Sequence, residues 1–303
     1  MDERCSDYNV FGLRVRSSVP LPELFPASGP GDPDVLVESG TIDEPEHAPG
    51  LAAATTGLLL TVPQVGRYLI SSGRSIRTEP MNGVDPRNLR LFLLGSAFGL
   101  LLHQRGLLPL HANAIEIDGS AVAFMGASGA GKSTLAAWFH DRGYRVLADD
   151  VCAVTIDDGQ PFALGGLPRL RLWLDALEAS GRSAEDLTRS AMLDDIRDKF
   201  DLPLHFERAP PARLPLAALY LLDRGNRLSI TRMRGVLAAD ALFANTYRGG
   251  LVATAGSAPA HFLSCAQVLK ATPIYRVQRP WGLEKMGAQN ERIVEHIAQN
   301  AHD

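Results

Sequence analysis

Nine consecutive residues, Gly126-Ala127-Ser128-Gly129-Ala130-Gly131-Lys132-Ser133-Thr134, constrain this chain more than any other stretch. They satisfy the pattern GxxxxGK[ST] with Gly126, Gly131, Lys132 and Ser133 in the defining places. Glycines permit a tight turn in which successive backbone N–H groups point inward at a polyanion, and a helix starting at Lys132 adds the positive end of its dipole. The Lys132 ammonium then reaches the β- and γ-phosphates of a nucleoside triphosphate, and the Ser133 hydroxyl is placed to ligate Mg²⁺. ATP with Mg²⁺ is the expected ligand pair.

The residues that feed the loop narrow its fold. Apolar residues alternate over 113–117 and again over 120–125, and Asp118-Gly119 between them is a strong signal for a two-residue hairpin turn. The strand entering the loop is therefore expected antiparallel to the one before it, unlike a simple βαβ unit. Beyond the loop, helical periodicity runs from Lys132 to Arg142, Gly143 is a plausible cap, and a short strand over 144–148 ends in Asp149-Asp150.

Elsewhere the chain divides in two. Residues 1–84 alternate short apolar runs with Pro, Gly and acidic residues, which predicts a β-rich N-terminal domain with exposed loops over 25–34 and 42–50. Residues 85–303 read as an α/β P-loop domain with a mixed sheet. Asp85-Pro86 supplies an N-cap and a first-turn proline for a helix running to Arg105. Its small residues Gly95, Ser96 and Gly99 form a stripe that would let another backbone approach closely. Further strands are expected over 151–156, 217–222, 228–232 and 274–278, and helices over 172–179, 184–200, 236–244, 260–270 and 290–300.

Composition excludes several classes of function. A net charge of −4 and no basic tract argue against a nucleic-acid partner. The apolar run 91–102 is far short of the roughly 20 residues that span a bilayer, so no membrane role is expected. Cys5, Cys152 and Cys265 show no CxxC pairing, and the residues after Met1 lack a secretory pattern, so a cytoplasmic location is expected. Oligomeric state is left open; a homo-oligomer is compatible with the sequence.

No LSGGQ-like transporter signature follows the loop and no NKxD guanine-reading motif is present. Asp149-Asp150 arrives one helix and one strand after the loop. Two carboxylates at a strand end beside a Mg²⁺-triphosphate can divide two tasks, one associating with the metal and the other accepting a proton from an attacking hydroxyl. Both could instead serve Mg²⁺ or cap a turn, and His111 by spacing alone reads as a structural histidine.

His111, the hairpin to Met125, the GKS of the loop, the helix ending Asp141-Arg142-Gly143 and the Ala148-Asp149-Asp150 run together resemble the core of the HPr kinase/phosphorylase family, over about residues 107–155. That resemblance implies a P-loop fold shared with phosphoenolpyruvate carboxykinase, with Asp150 as the base toward a substrate serine, Lys132 and His111 assisting, and Ser133 binding Mg²⁺; by the division of tasks above, Asp149 is then the carboxylate expected to associate with the metal. The family's GKSE reads GKST here, and its LEIRGLG signature is replaced by the run Leu164 to Trp173, so a reverse phosphorolysis and the second metal ligand are not implied. Arg169 and Arg171 in that run could hold phosphates or an acidic substrate, or be surface residues. The segments 18–23 and 102–112 also resemble divergent HPr-kinase-related proteins found beside peptide-modification systems, some of which phosphorylate the C-terminal serine of lasso peptide precursors.

The expected function is thus an ATP-dependent serine/threonine kinase whose substrate is a small protein or ribosomal precursor peptide. Its rivals are an ATP-sensing module without phosphotransfer and a small-molecule kinase.

Overall fold

The computed structural model describes residues 5–167, 169–185, 187–189, 199–204, 211–282 and 286–300. Residues 6–80 form an eight-stranded sheet. Its spatial order is Phe25–Pro26, Ser6–Val10, Leu13–Ser17, Val35–Ser39, Ser75–Pro80, Gly66–Ser71, Gly57–Val62 and Gly50–Ala54. Val35–Ser39 is parallel to both its neighbours, and the other pairs are antiparallel. Strict alternation of burial in Leu13–Ser17 and Gly66–Ser71 turns one face to a core.

That face is covered by the helical rod Pro86–Phe92, Leu93–Ala97 and Phe98–Gln104. Leu89, Leu93, Phe98 and Leu101 share a buried cluster with Val15, Val37, Tyr68 and Ile76 of the sheet. Asp85 caps the rod through its carboxylate and the Arg87 N–H. The central segment Leu93–Ala97 is wound as a π-helix. The small-residue stripe receives side chains and no backbone, correcting that expectation: a Cβ on Gly99 would lie 2.8 Å from the Tyr247 ring, and Arg248 Nη2 donates to Ser96 Oγ at 2.7 Å.

The second sheet is mixed, ordered Val146–Ala148, Ala112–Ile117, Ser120–Met125, Arg213–Arg224, Gln160–Leu164, Cys152–Asp157 and Leu108–Leu110. The hairpin forms as expected: Ala112–Ile117 and Ser120–Met125 pair antiparallel, with Asp118 and Gly119 both at positive φ as a primed turn requires. The twelve-residue strand Arg213–Arg224 lies parallel to Ser120–Met125 and carries Ile274–Arg279 on its C-terminal half. The α/β reading, a β-rich N-terminal part before a mixed sheet, therefore holds.

A third, small sheet joins Arg169–Trp173, Lys199–Pro203 and Thr188–Arg189. It revises two expectations. The helix expected from 172 begins at Leu174, because Arg169–Trp173 pairs with Lys199–Pro203. The helix expected over 184–200 is contradicted at both ends, where Thr188–Arg189 and Lys199–Pro203 are strands; residues 186 and 190–198 lie outside the described residues. Tertiary pairing outweighs helical periodicity there. No described helix is long and apolar enough to cross a membrane.

Candidate active site

The loop Gly126–Ser133 leaves the end of Ser120–Met125 and runs into the helix Lys132–His140. Gly126, Gly129 and Gly131 sit at φ of 146°, 82° and 84°, a region that only glycine occupies without strain. Space confines two of them further: a Cβ on Gly126 would come within 2.8 Å of the Leu222 carbonyl, and one on Gly131 within 2.9 Å of Arg279 Nη2. Ser128, Gly129, Gly131, Lys132, Ser133 and Thr134 line a cleft, opposite His111, Asp150, Trp173 and Lys199. Ala127 and Ala130 serve the loop's shape, since the Ala130 N–H donates to the Ala127 carbonyl at 3.1 Å.

Lys132 is 6% exposed, and its Nζ donates to the carbonyls of Gly126 and Ala127 at 2.7 and 3.2 Å. Its third neighbour is His111 Nε2 at 3.1 Å. On the other side of the ring, Nδ1 lies 3.0 Å from the Asp150 backbone carbonyl. A carbonyl only accepts, so the proton sits on Nδ1 and the Nε2 lone pair faces the lysine. Burial first, then the charges of Lys132, Lys199, Arg171 and Arg248, hold the His111 pKa down at about 3, so the ring is neutral at physiological pH. Burial and Lys199 lower Lys132 to about 8, against the pull of Asp149; burial and Arg171 lower Lys199 to about 8.

The two aspartates part company. Asp149 is buried, its Oδ1 accepting from Ser133 Oγ at 3.2 Å and its Oδ2 from the Arg171 backbone N–H at 2.7 Å. Burial pushes its pKa up, while the Arg171 N–H, nearby cations and Ser133 oppose the rise. Asp150 faces the cleft at φ 67°, and the Val151 N–H reaches back over it to the Asp149 carbonyl at 2.8 Å. This is a γ-turn of the positive-φ kind, which is strained for any residue with a side chain. The Asp150 carboxylate is ion-paired with the Arg171 guanidinium.

Several residues of the site carry no local signal in the sequence. Asn245, closing the helix Gly235–Ala244, accepts from the Gly126 N–H through Oδ1 at 2.9 Å, and its carbonyl accepts from the His111 N–H at 2.7 Å. Arg279 is buried, donating to Asn290 Oδ1 at 3.0 Å and to the Ala130 carbonyl at 3.4 Å. Lys199 lay inside an expected helix. Asn113, in the strand Ala112–Ile117, is wholly buried, and neither end of its amide finds a partner among the described residues.

No family model matches the chain, and no curated protein matches it. Among solved structures, one similar to it is the Hpr(Ser) kinase/phosphatase from Coxiella burnetii. That match covers 63% of this chain and 97% of the other at 11% identity, with a TM-score of 0.33. Roles for individual residues rest on the local geometry.

Proposed function

We propose that the protein is an ATP-dependent kinase that moves the γ-phosphoryl group onto a serine or threonine hydroxyl of a small protein or ribosomally made precursor peptide. One observation carries this reading: His111 bridges the loop lysine and the Asp150 backbone, so the phosphate-binding cation and a cleft-facing carboxylate share one site. In that reading Asp150 takes the acceptor hydroxyl's proton as its oxygen attacks the γ-phosphorus, and the bond to the bridging oxygen breaks to release ADP. Lys132 leaves the Gly126 and Ala127 carbonyls for the phosphates. Neutral His111 can accept a hydrogen bond from that ammonium without repelling it.

The residues fit Mg²⁺. Ser133 Oγ and Asp149 Oδ1 are hard oxygen donors 3.2 Å apart, and the direct partners of the buried Asp149 carboxylate are a hydroxyl and a backbone N–H, so a dication would offset its desolvation. Bound there, Mg²⁺ supplies neutralisation of charge on the phosphate oxygens. The Arg171 pair opposes Asp150 as a base until the guanidinium parts from it, and a triphosphate in the cleft offers a competing anion.

That same pair favours a second reading, an ATP-sensing module in which Asp150 only holds Arg171. Labelled ATP with a panel of serine peptides separates the two. The kinase reading expects transfer that falls at least about a hundredfold in Asp150→Asn, the scale of a lost general base. Asparagine also tolerates positive φ, so the turn persists. Transfer equal to wild type in Asp150→Asn refutes the assigned base. Tight Mg·ATP binding with no transfer to any peptide supports the sensor, and phosphate appearing on a metabolite would sink the peptide reading.

A further inference from the structure

A larger cavity lies beyond Asp150, where the N-terminal sheet, the helical rod and the small third sheet meet. Glu23, Arg87, Arg90, Arg169, Arg189 and Asp201 line it, with Leu24, Pro203 and Leu204 as apolar wall. Four guanidinium groups face two carboxylates there, in a chain whose net charge is −4. Arg90 donates from Nε to Glu23 Oε1 at 2.7 Å, Arg169 from Nη1 to Asp201 at 2.9 Å, and Arg87 from Nε and Nη2 to Asp85. Each guanidinium has five N–H donors, so these pairs orient the three groups without exhausting them. The remaining oxygen of Glu23, Oε2, is buried and accepts no hydrogen bond among the described residues.

The cavity is coupled to the active site by one strand. In Arg169–Trp173, Leu170 and Leu172 point into the core beside the P-loop helix, while Arg169 and Arg171 share the opposite face. Arg171 holds Asp150 and Arg169 lines the cavity, and residues two apart on a strand are about 6.6 Å apart. An extended peptide advances about 3.3 Å per residue, so a hydroxyl at Asp150 sets its side chains two or more residues away at the arginines.

Resting on the kinase reading, we propose that this cavity docks the acceptor polypeptide through an aspartate or glutamate lying about two to four residues from the phosphorylated hydroxyl. The arginines receive the carboxylate. The apolar wall takes the intervening side chains.

The test uses the full chain and a degenerate nonapeptide library with a fixed central serine, captured on immobilised protein with Mg²⁺ and a non-hydrolysable ATP analogue. Wild type should enrich Asp and Glu several-fold at those positions. Arg87→Ala, at a half-exposed site on the first turn of its helix, should lose that enrichment, and Arg87→Glu should shift it toward Lys and Arg. Thermal melting of both variants reports their folding. No acidic enrichment, or enrichment unchanged in both variants, overturns the proposal. Labelled ATP on the same library reads the kinase reaction separately: acidic enrichment that depends on Arg87 but no phosphate transfer supports the docking site and refutes the kinase.

Discussion

Replacing Lys132 by arginine tests the electrostatics of the cleft, because arginine keeps the positive charge but does not titrate. In the ligand-free protein Lys132 and Lys199 are both held at about 8, against 10.5 for an ordinary lysine, so at pH 8 each is half protonated. Keeping either one charged in this site is disfavoured by about 3 kcal/mol relative to water. A bound triphosphate brings negative charge to both ammonium groups and restores their affinity for the proton. Binding at pH 8 should therefore take up about half a proton at each lysine, about one in all, and nearly none at pH 6.5. Calorimetric titration with Mg·ATP in buffers of different ionisation enthalpy measures this directly, as the slope of observed heat against buffer enthalpy. Lys132→Arg should halve the uptake, and Lys132→Arg with Lys199→Arg should abolish it. His111, neutral throughout this range, contributes nothing. A zero slope for wild type at pH 8, or an unchanged slope in Lys132→Arg, would refute the reasoning.

The same lysines set a pH dependence of stability. Between about 8 and 10.5 the unfolded chain binds more protons than the folded one, so their contribution rises with pH. The buried thiols Cys152 and Cys265, pushed up to about 12, act in the opposite sense. Urea unfolding of wild type against Lys132→Met from pH 7 to 9.5 isolates the lysine: the advantage of the variant should shrink as pH rises. Asn245→Ala leaves the buried Gly126 N–H without its acceptor and should lower stability by about 1–3 kcal/mol, visible as a drop in Tm and weaker ATP binding. Gly99→Ala would stabilise an exposed helix, yet here its methyl meets the Tyr247 ring; a loss of about 1–3 kcal/mol is expected, and a rise in Tm would count against the packing described.

What could be read from the sequence was local. The Asp118-Gly119 turn, the loop and the Asp149-Asp150 pair lie within 40 residues, and each is dictated by turn geometry or by spacing along one element. Asn245 and Arg279 reach the loop from more than 110 residues away, and only the order of strands in the mixed sheet brings them there. Arg171 was visible as a charge in a strand-like run, but its backbone N–H on Asp149 and guanidinium on Asp150 depend on pairing with Lys199–Pro203. The start of that partner strand, Lys199 and Phe200, read as the end of a helix, because a five-residue strand at the end of an apolar and charged run carries almost no periodicity of its own.

The π-wound segment Leu93–Ala97 has a consequence for how this chain can change length. Deleting one residue there would leave an unbroken α-helix between the same two ends, so backbone hydrogen bonding alone would hardly resist it. Each residue, however, is worth about 100° of azimuth around a helix axis. With Gly99 and His103 pinned against Tyr247, such a deletion would rotate Arg87 and Arg90 a quarter-turn or more away from the cavity they now line. The extra residue works as a phase-setter between two faces of one rod, and losing it would uncouple those faces without unfolding the rod.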